Sequence, residues 1–140
     1  MILTLLFLTS RLWLNSPAAD CRITFNNLQE ARGSLYVAVY AQEGDFLNEK
    51  RFFTQKIVPV QQTGAMELNF SGLPPGQYAV SCFHDVNGNG KLDTNMVGIP
   101  NEPYGFSNNA RPKFRAPRWY EAVFSLGNGG GSQQIRLEKW

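Results

Sequence analysis

The stretch "SLYVAVYA" (residues 34–41) places an aliphatic side chain at every second position, Leu35, Val37 and Val39, with tyrosine or alanine between them. A period of two is typical of a β-strand, because successive side chains of a strand point to opposite faces of the sheet. Branched and aromatic residues also favour extended backbone. The stretch therefore predicts a strand and gives the period to look for in the rest of the chain.

Six further segments have the same period. Together with 34–41, the predicted strands are 22–28, 52–60, 65–72, 77–85, 120–127 and 132–140. Turn residues separate them, as in "LPPG" (73–76) and "GNGGG" (127–131), while 43–51 is the one candidate helix. This spacing predicts an all-β fold, a seven-stranded antiparallel sandwich of the immunoglobulin-like or transthyretin-like kind.

Length and composition limit the classes of function. The chain has 140 residues, of which 43% are hydrophobic, enough for one compact core. Its formal charge of +2 is too mild to indicate a nucleic-acid binder. We expect a monomer with a single domain at 20–140.

The N-terminus resembles a secretory signal. "MILTLLFLT" (1–9) has the length of a signal-peptide apolar region and is too short to span a membrane, and small residues precede a predicted cleavage after Ala18 or Ala19. Residues 1–19 are therefore predicted to be a signal peptide, and the protein to be periplasmic or secreted.

The two cysteines, Cys21 and Cys82, both lie in predicted strands. An exported domain of this size commonly uses such a pair as a disulfide, which we expect here; two buried free thiols are the alternative. A bond closing a loop of about 60 residues would contribute roughly 4 kcal/mol by the chain-entropy relation.

Residues 85–119 interrupt the strand pattern. The segment is rich in Asn, Gly and Pro, yet Ile99, Phe106 and Trp119 are spaced along it as apolar anchors. A loop of this length in a compact domain is usually functional or disordered, and the anchors favour an ordered loop. An ordered loop this polar needs something to hold it.

The beginning of that loop, "DVNGNGKLD" (85–93), follows the calcium-loop pattern D-x-[DN]-x-[DN]-G. In that pattern the odd positions supply oxygen ligands, and Gly90 makes the sharp turn. The twelfth position is Met96 instead of a glutamate, so we expect Glu102 to supply the last carboxylate if Met96 points into the core, with Asn95 as the neutral alternative. The predicted Ca²⁺ ligands are Asp85, Asn87, Asn89, Lys91 through its carbonyl, Asp93 and Glu102. A metal-free Asn/Gly turn is the other interpretation.

The wider segment "FSGLPPGQYAVSCFHDVNGNGKLDTNMVGIPNEPYGFSNNARPKFRAP" (70–117) resembles the signature of the bacterial family called domain of unknown function 2141. The first half of the chain resembles the family by strand pattern alone. The resemblance implies export and a β-sandwich of transthyretin-like or immunoglobulin-like kind, and it implies no activity. Met96 agrees with the family, where that position is usually apolar, so an ion would need its last ligand from elsewhere.

Catalysis is the weaker interpretation of the polar residues. His84 directly precedes Asp85, so in a strand the two side chains point to opposite faces and do not form a His–Asp pair. One histidine and two distant cysteines do not make a zinc site. A small metal-assisted hydrolase or lyase that uses His84, Asp85 or Glu102 is kept as the alternative function.

Downstream of the calcium pattern, cationic and aromatic residues alternate in "RPKFRAPRWY" (111–120), and "EPYGFSNNA" (102–110) precedes them. Such residues can bind a glycan or another anionic polymer, or they can simply pack within the loop. The predicted ligand-binding residues are Tyr104, Phe106, Asn108, Asn109, Arg111, Arg115 and Trp119. The sequence therefore predicts an exported, Ca²⁺-stabilised, non-enzymatic module of the cell envelope that binds a glycan, peptide or protein.

Overall fold

Eight strands and three short helical turns form the fold over residues 19–140, the part of the chain that the computed structural model describes. The strands are β1 (Ala19–Leu28), β2 (Ser34–Tyr40), β3 (Thr54–Pro59), β4 (Gly64–Leu73), β5 (Gly76–Asp85), β6 (Tyr104–Phe106), β7 (Phe124–Leu126) and β8 (Gly131–Arg136). Two 3-10 turns lie at Glu43–Asp45 and Ser107–Asn109, and α1 is Trp119–Ala122. The predicted signal peptide, apart from Ala19, lies outside the described residues.

The strands form two sheets. The three-stranded sheet has the order β4-β1-β8, and the five-stranded sheet has the order β3-β2-β5-β6, with β7 pairing the first part of β5. All pairs are antiparallel except β1 and β8, which run parallel with Cys21 opposite Gly131 and Asn26 opposite Arg136. The all-β sandwich is confirmed, and the parallel pair is an exception to the predicted antiparallel pairing.

The core lies between the sheets, where the alternating apolar residues meet. Ile23 and Phe25 of β1 are fully buried, and so are Leu35 and Val37 of β2 and Ile135 of β8. Burying one side chain of this size contributes about 1.5–3 kcal/mol, so the period-two pattern supplies most of the driving force that joins the sheets.

One side of the sandwich is closed by β6 and β8. Tyr104 N–H donates to the Glu138 carbonyl at 3.0 Å, and Glu138 N–H donates to the Tyr104 carbonyl at 3.1 Å. Gly105 permits this approach, because a Cβ there would come within 2.7 Å of Ile135 Cγ2 and 2.8 Å of the Arg136 carbonyl oxygen. The central residue of this three-residue strand therefore has to lack a side chain.

The opposite side of the sandwich is open. In the described part of the chain β3 pairs only with β2, and β4 only with β1. Lys56 of β3 spans the opening: it is paired with the buried Val37, its Nζ donates to the Asn69 carbonyl at 2.5 Å, and it lies 4.9 Å from the centroid of the Phe70 ring. A single charged side chain thus bridges the two free edges.

Three details differ from the sequence prediction. The interval 85–119 contains β6, which with three residues is too short to show a period. The predicted strand 120–127 is divided into α1 and β7, and of the helix predicted at 43–51 only the 3-10 turn Glu43–Asp45 forms. The count is therefore eight strands instead of seven.

The predicted disulfide is not formed. Cys21 and Cys82 are free, buried thiols on different sheets. Cys21 lies near Tyr78, at the start of β5. Cys82 lies near the end of β5, with its Sγ 3.4 Å from the Gly105 carbonyl oxygen. Four residues of strand are about 13 Å long, beyond the span of a disulfide, so the two thiols occupy different levels of the core.

No helix within residues 19–140 has the length and the hydropathy that crossing a bilayer requires.

Candidate functional site

The polar loop begins where β5 ends, and the buried carboxylate of Asp85 shapes its first turn. Asp85 Oδ1 accepts the backbone N–H of Asn89 at 3.2 Å, and Oδ2 accepts that of Gly90 at 2.8 Å. Gly90 has φ 76°, in the left-handed region that favours glycine. The first residue of the calcium pattern therefore acts here as an acceptor for the loop backbone.

Glu102 joins the two ends of the loop. Its carboxylate is buried, with Oε2 accepting Val86 N–H at 2.7 Å and Oε1 accepting Asp93 N–H at 3.1 Å. The Asp93 carbonyl also accepts Asn101 N–H at 2.7 Å. Glu102 thus contacts the predicted calcium loop, as the sequence suggested, but it does so by accepting backbone N–H groups.

Three of the predicted ligands meet directly. Asp93 accepts the side-chain amide of Asn89 at 2.7 Å on Oδ1 and that of Asn87 at 2.6 Å on Oδ2. These two hydrogen bonds, Asn89 first, lower the pKa of the Asp93 carboxyl below its ordinary value. Lys91 contributes its backbone N–H, which donates to Asn89 Oδ1 at 3.0 Å. The loop therefore has a compact amide–carboxylate cluster, here called the Asp93 cluster (Asn87, Asn89 and Asp93).

The Asp93 cluster opens onto a cleft of about 490 Å³. The cleft is lined by Glu30, Arg32, Val86, Asn87, Asp93, Asn101, Glu102 and Lys139. Three acidic and two basic side chains leave it weakly acidic. Among residues 19–140, no three His, Cys, Asp or Glu side chains are grouped so that they could hold a metal ion. The carboxylate and amide oxygens are nevertheless of the kind that Ca²⁺ takes, and each oxygen keeps a second lone pair.

The segment after Asp93 turns back on itself. Asn95 Oδ1 accepts the backbone N–H groups of Val97 and Ile99, both at 3.0 Å, so the alternative ligand Asn95 is used within its own turn. Met96, at the tip of this turn, is fully exposed. The condition attached to the Glu102 prediction, a Met96 side chain that points into the core, is therefore not met.

His84 has a structural environment. It is buried, its Nε2 lies 2.6 Å from the Arg32 carbonyl oxygen, and its backbone N–H donates to the Pro103 carbonyl at 2.8 Å. His84 thus contacts the β1–β2 turn through its side chain and the end of the loop through its backbone. Together with the backbone bonds of Asp85 and Glu102, these contacts give no support to an acid–base role.

A second site lies on the outer face of the five-stranded sheet, and no single stretch of sequence shows it. The cross-strand pairs align two rows on this face. The first row is Ile57, Tyr36, Phe83 and Tyr104, and the second is Gln55, Ala38, Ser81 and Phe106. The Tyr36 and Phe83 rings are stacked with centroids 4.8 Å apart. The sheet thus has an aromatic outer surface with small residues beside it.

Two loops rise around these rows and enclose a groove of about 1020 Å³, here called the sheet groove. Its floor is Tyr36, Ala38, Gln55, Ser81, Phe83, Tyr104 and Phe106. One wall is formed by Leu47, Glu49 and Phe52, and the other by residues 90–92, 97–100, 111–112 and 114–117, with Trp140 beside them. The long ordered loop is therefore the larger wall of a cavity.

The structure divides the predicted ligand-binding residues. Four of them line the sheet groove: Tyr104, Phe106, Arg111 and Arg115. Asn108 instead donates its amide to the Val123 carbonyl at 2.8 Å, and Asn109 Oδ1 accepts Arg136 N–H at 2.9 Å. Trp119 packs edge-on against Phe46 with ring centroids 5.8 Å apart. These three residues hold the loop to its neighbours.

Arg111 is the most constrained cation of the groove. Its guanidinium carbon lies 4.3 Å from the centroid of the Tyr104 ring, and Nη2 donates to the Tyr104 carbonyl. Its Nη1 is buried without a hydrogen-bond partner among the described residues. Arg115 pairs with Glu121 at 2.7 Å. The hydrogen bond from Arg115 is the main reason that the pKa of the Glu121 carboxyl is lowered. The groove wall therefore carries an arginine with an unused donor.

The sequence prediction missed Tyr36, Ala38, Ser81 and Phe83. They belong to strands predicted at 34–41 and 77–85, on the face opposite the core. A usable signal was present, because an outer strand face exposed to water would be expected to carry charged residues, and this one carries aromatic and small ones.

The comparisons with known proteins give one positive result. No curated protein and no solved structure matches the chain. The family model described as "Uncharacterized protein conserved in bacteria (DUF2141)" matches residues 23–135, from β1 to β8. The match includes both sheets, the Asp93 cluster and most of the groove lining, and the chain therefore belongs to the DUF2141 family.

Proposed function

We propose that the protein is an exported, non-enzymatic binding module of the cell envelope, whose ligand lies in the sheet groove and whose polar loop is stabilised by Ca²⁺. The observation that carries the proposal is the groove itself. Its volume of about 1020 Å³ is at the upper end of small-ligand sites, and its floor is built on paired strands. Four large apolar side chains on its walls, Phe52, Val97, Phe114 and Trp140, are exposed.

The lining favours binding over catalysis. It contains no histidine or aspartate, and its one carboxylate is Glu49. The residues of the hydrolase or lyase alternative, His84, Asp85 and Glu102, are buried and bonded to the backbone. A site of apolar surfaces with a few polar groups matches the general character of a ligand pocket.

The groove is tested by filling its floor. Ala38 lies between Gln55 and Ser81 in the second row, so Ala38→Trp places an indole where a ligand would lie. Ala65→Trp puts the same side chain at an exposed position of β4 and is the control. We expect a neutral solvatochromic dye to bind wild type and Ala65→Trp equally, and Ala38→Trp at least tenfold more weakly. Equal binding by all three folded proteins would refute the groove as the site.

The Ca²⁺ proposal is supported by the convergence of Asn87, Asn89 and Asp93 beside a weakly acidic cleft. In this proposal Asp85 and Glu102 order the backbone around the ion, because both already accept loop N–H groups. Lys91 contributes through its carbonyl.

Melting curves with and without Ca²⁺ test this part. A ligand at a hundredfold excess over its dissociation constant stabilises the folded state by about 2.7 kcal/mol, so we expect Ca²⁺ to raise the melting temperature. Asp93→Ala should abolish that rise, while Glu67→Ala, on the other sheet, should keep it. A wild-type melting temperature that is the same in millimolar Ca²⁺ and in chelator would leave the metal-free turn as the correct interpretation.

Export follows from the predicted signal peptide at residues 1–19, which also sets the proposed periplasmic or secreted location. Expression of the full chain in a bacterial host, followed by fractionation and N-terminal sequencing, tests it. We expect a periplasmic product that begins after Ala18 or Ala19. A cytoplasmic product that retains residue 1 would contradict export.

A further inference from the structure

We propose that the ligand of the sheet groove is an anionic amphiphile, a molecule with an acyl or aryl body and one carboxylate or phosphate group held by Arg111. This inference rests on the proposed function, because it assumes that the groove is the ligand site. It adds the chemical class of the ligand and the residue that selects it.

The body of the ligand is inferred from the floor. The stacked rings of Tyr36 and Phe83 continue across the strand pairing to Tyr104, and Phe106 lies in the adjacent row. Tyr104 is itself buried beneath the Arg111 guanidinium, so the open apolar surface is that of Tyr36, Phe83 and Phe106, one from each of three strands. Ala38 and Ser81 leave depth beside these rings. An acyl chain or a flat ring buries its surface in such a slot, whereas a glycan would leave most of its hydroxyl groups without partners there.

The charge of the ligand is inferred from the walls. Three cationic side chains line the groove, Lys91, Arg111 and Arg115, against the single acid Glu49. The cations belong to the wall formed by residues 90–92, 97–100, 111–112 and 114–117, and Glu49 belongs to the opposite wall. The groove therefore attracts an anion and orients it toward one side, since a charge in a low-dielectric cleft is screened less than one at an open surface.

Arg111 is the cation best placed to select the anion. The Tyr104 ring and the Tyr104 carbonyl hold its guanidinium in place, so binding does not have to order a free side chain. Its buried Nη1 has no acceptor within residues 19–140, and buried donors are nearly always paired. A carboxylate or phosphate oxygen would supply that acceptor and form a charge-assisted hydrogen bond. Arg111 also pairs with Glu138, but only through Nε at 3.8 Å, so its Nη1 stays without an acceptor. Arg115 is paired more closely, with Glu121 at 2.7 Å.

The experiment uses competition between ligands that share one chain and differ in the head group. Dodecanoate, dodecyl phosphate, dodecanol and dodecyltrimethylammonium are each titrated, below their micelle concentrations, against the neutral dye bound to the mature protein. We expect the two anions to displace the dye at least tenfold more tightly than dodecanol, and the cation least tightly. A difference between dodecanoate and dodecyl phosphate then identifies which anionic group the site prefers.

Two variants locate the selectivity. Arg111→Met keeps an unbranched side chain over Tyr104 and should lose the preference for dodecanoate over dodecanol, measured as the ratio of the two affinities within that variant. Arg22→Met removes an arginine from the exposed face of the other sheet and should keep that preference. Circular dichroism confirms that the variants are folded. If Arg111→Met does not fold, the double variant Lys91→Met with Arg115→Gln is used, which should reduce the preference at least threefold.

The outcomes separate the two proposals. Equal displacement by dodecanol and dodecanoate overturns the anionic ligand and leaves the groove as a binding site. An anion preference that persists in Arg111→Met overturns the role of Arg111. Loss of dye binding only in Ala38→Trp supports the groove independently of every head-group result.

Discussion

Asp85 and Glu102 are the two buried carboxylates of the polar loop, and their four oxygen atoms accept four backbone N–H groups. Each of these bonds joins a carboxylate oxygen to a backbone donor, and of the four donors Asn89 N–H also has a second acceptor, Asn87 Oδ1 at 3.2 Å. The loop is therefore ordered by its own acidic side chains, and Ca²⁺ would add to an arrangement that already exists.

Glu102→Ala measures that order. The substitution removes the acceptor of both Val86 N–H and Asp93 N–H, and a buried donor left without a partner costs about 1–3 kcal/mol. We expect the free energy of unfolding, measured by urea denaturation in chelator, to fall by about 2 kcal/mol or more. Glu67→Ala, whose one ion pair is exposed, should change it by less than about 0.5 kcal/mol. Equal effects in the two variants would show that Glu102 does not order the loop.

The cysteines give a prediction about alkaline pH. Burial raises the pKa of both the Cys21 and the Cys82 thiols above the ordinary value. Above about pH 8.5 the unfolded chain releases these thiol protons while the folded chain keeps them. The free energy of unfolding is therefore full below that pH and falls as pH rises above it. A thiol contributes at most about 1.4 kcal/mol per pH unit, and only over the pH range in which it is ionised in the unfolded chain and protonated in the folded one.

Urea denaturation between pH 8 and 11 measures this slope. Cys82→Ala should lose less stability with rising pH than wild type, although it starts from a lower value. Val80→Ala also truncates a buried β5 side chain and should keep the wild-type slope. Both thiols should resist iodoacetamide in the folded protein and react after unfolding. Rapid alkylation of the folded protein would contradict the buried positions.

Among the elements, β3 and β4 are the two edges of the open side, and Lys56 protects them. It is an inward-pointing charge on an edge strand, a device that prevents edge-to-edge association between protein molecules. Its ammonium can reach the Asn69 carbonyl only while the edge is unoccupied. The open side of the sandwich is thus kept available to solvent instead of to another strand.

Lys56→Val tests this protection. The valine extends the apolar surface beside Val37 and Phe70 and frees the Asn69 carbonyl. We expect the variant to self-associate at concentrations at which wild type is monomeric in analytical ultracentrifugation. Lys50→Val removes the same charge from an exposed loop and should stay monomeric. If Lys56→Val stays monomeric like Lys50→Val, Lys56 is not what prevents association through the open edges.

At the scale of the whole molecule, the sequence predicts the faces of the strands better than their neighbours. Leu35, Val37 and Val39 alternate as predicted and are buried, because alternation directly reports which side faces the core. The partner of a strand is not encoded in its own period, so the parallel pair β1–β8 could not be predicted. The same holds for β6, which is defined by its pairing with β5 and is too short to show a period of its own.

The candidate sites follow the same division. The Asp93 cluster lies within seven consecutive residues, so local spacing was enough to predict that these side chains meet. The floor of the sheet groove combines Tyr36, Phe83 and Tyr104, which come from three separate strands. Only the sheet order brings them together, and sheet order is what a single sequence leaves open.

The parallel pairing of β1 with β8 also determines when folding can finish. Residues 21 and 131 must meet before the three-stranded sheet exists, so the most distant contacts of the described chain are among its most central. Topologies dominated by such contacts fold slowly, because the entropy of closing a long loop is lost before the contact is gained. During synthesis β1 has only one possible neighbour until residues 131–136 leave the ribosome. The three-stranded sheet therefore cannot be completed before the last strand has been made, and in the proposed exported protein its completion would follow translocation.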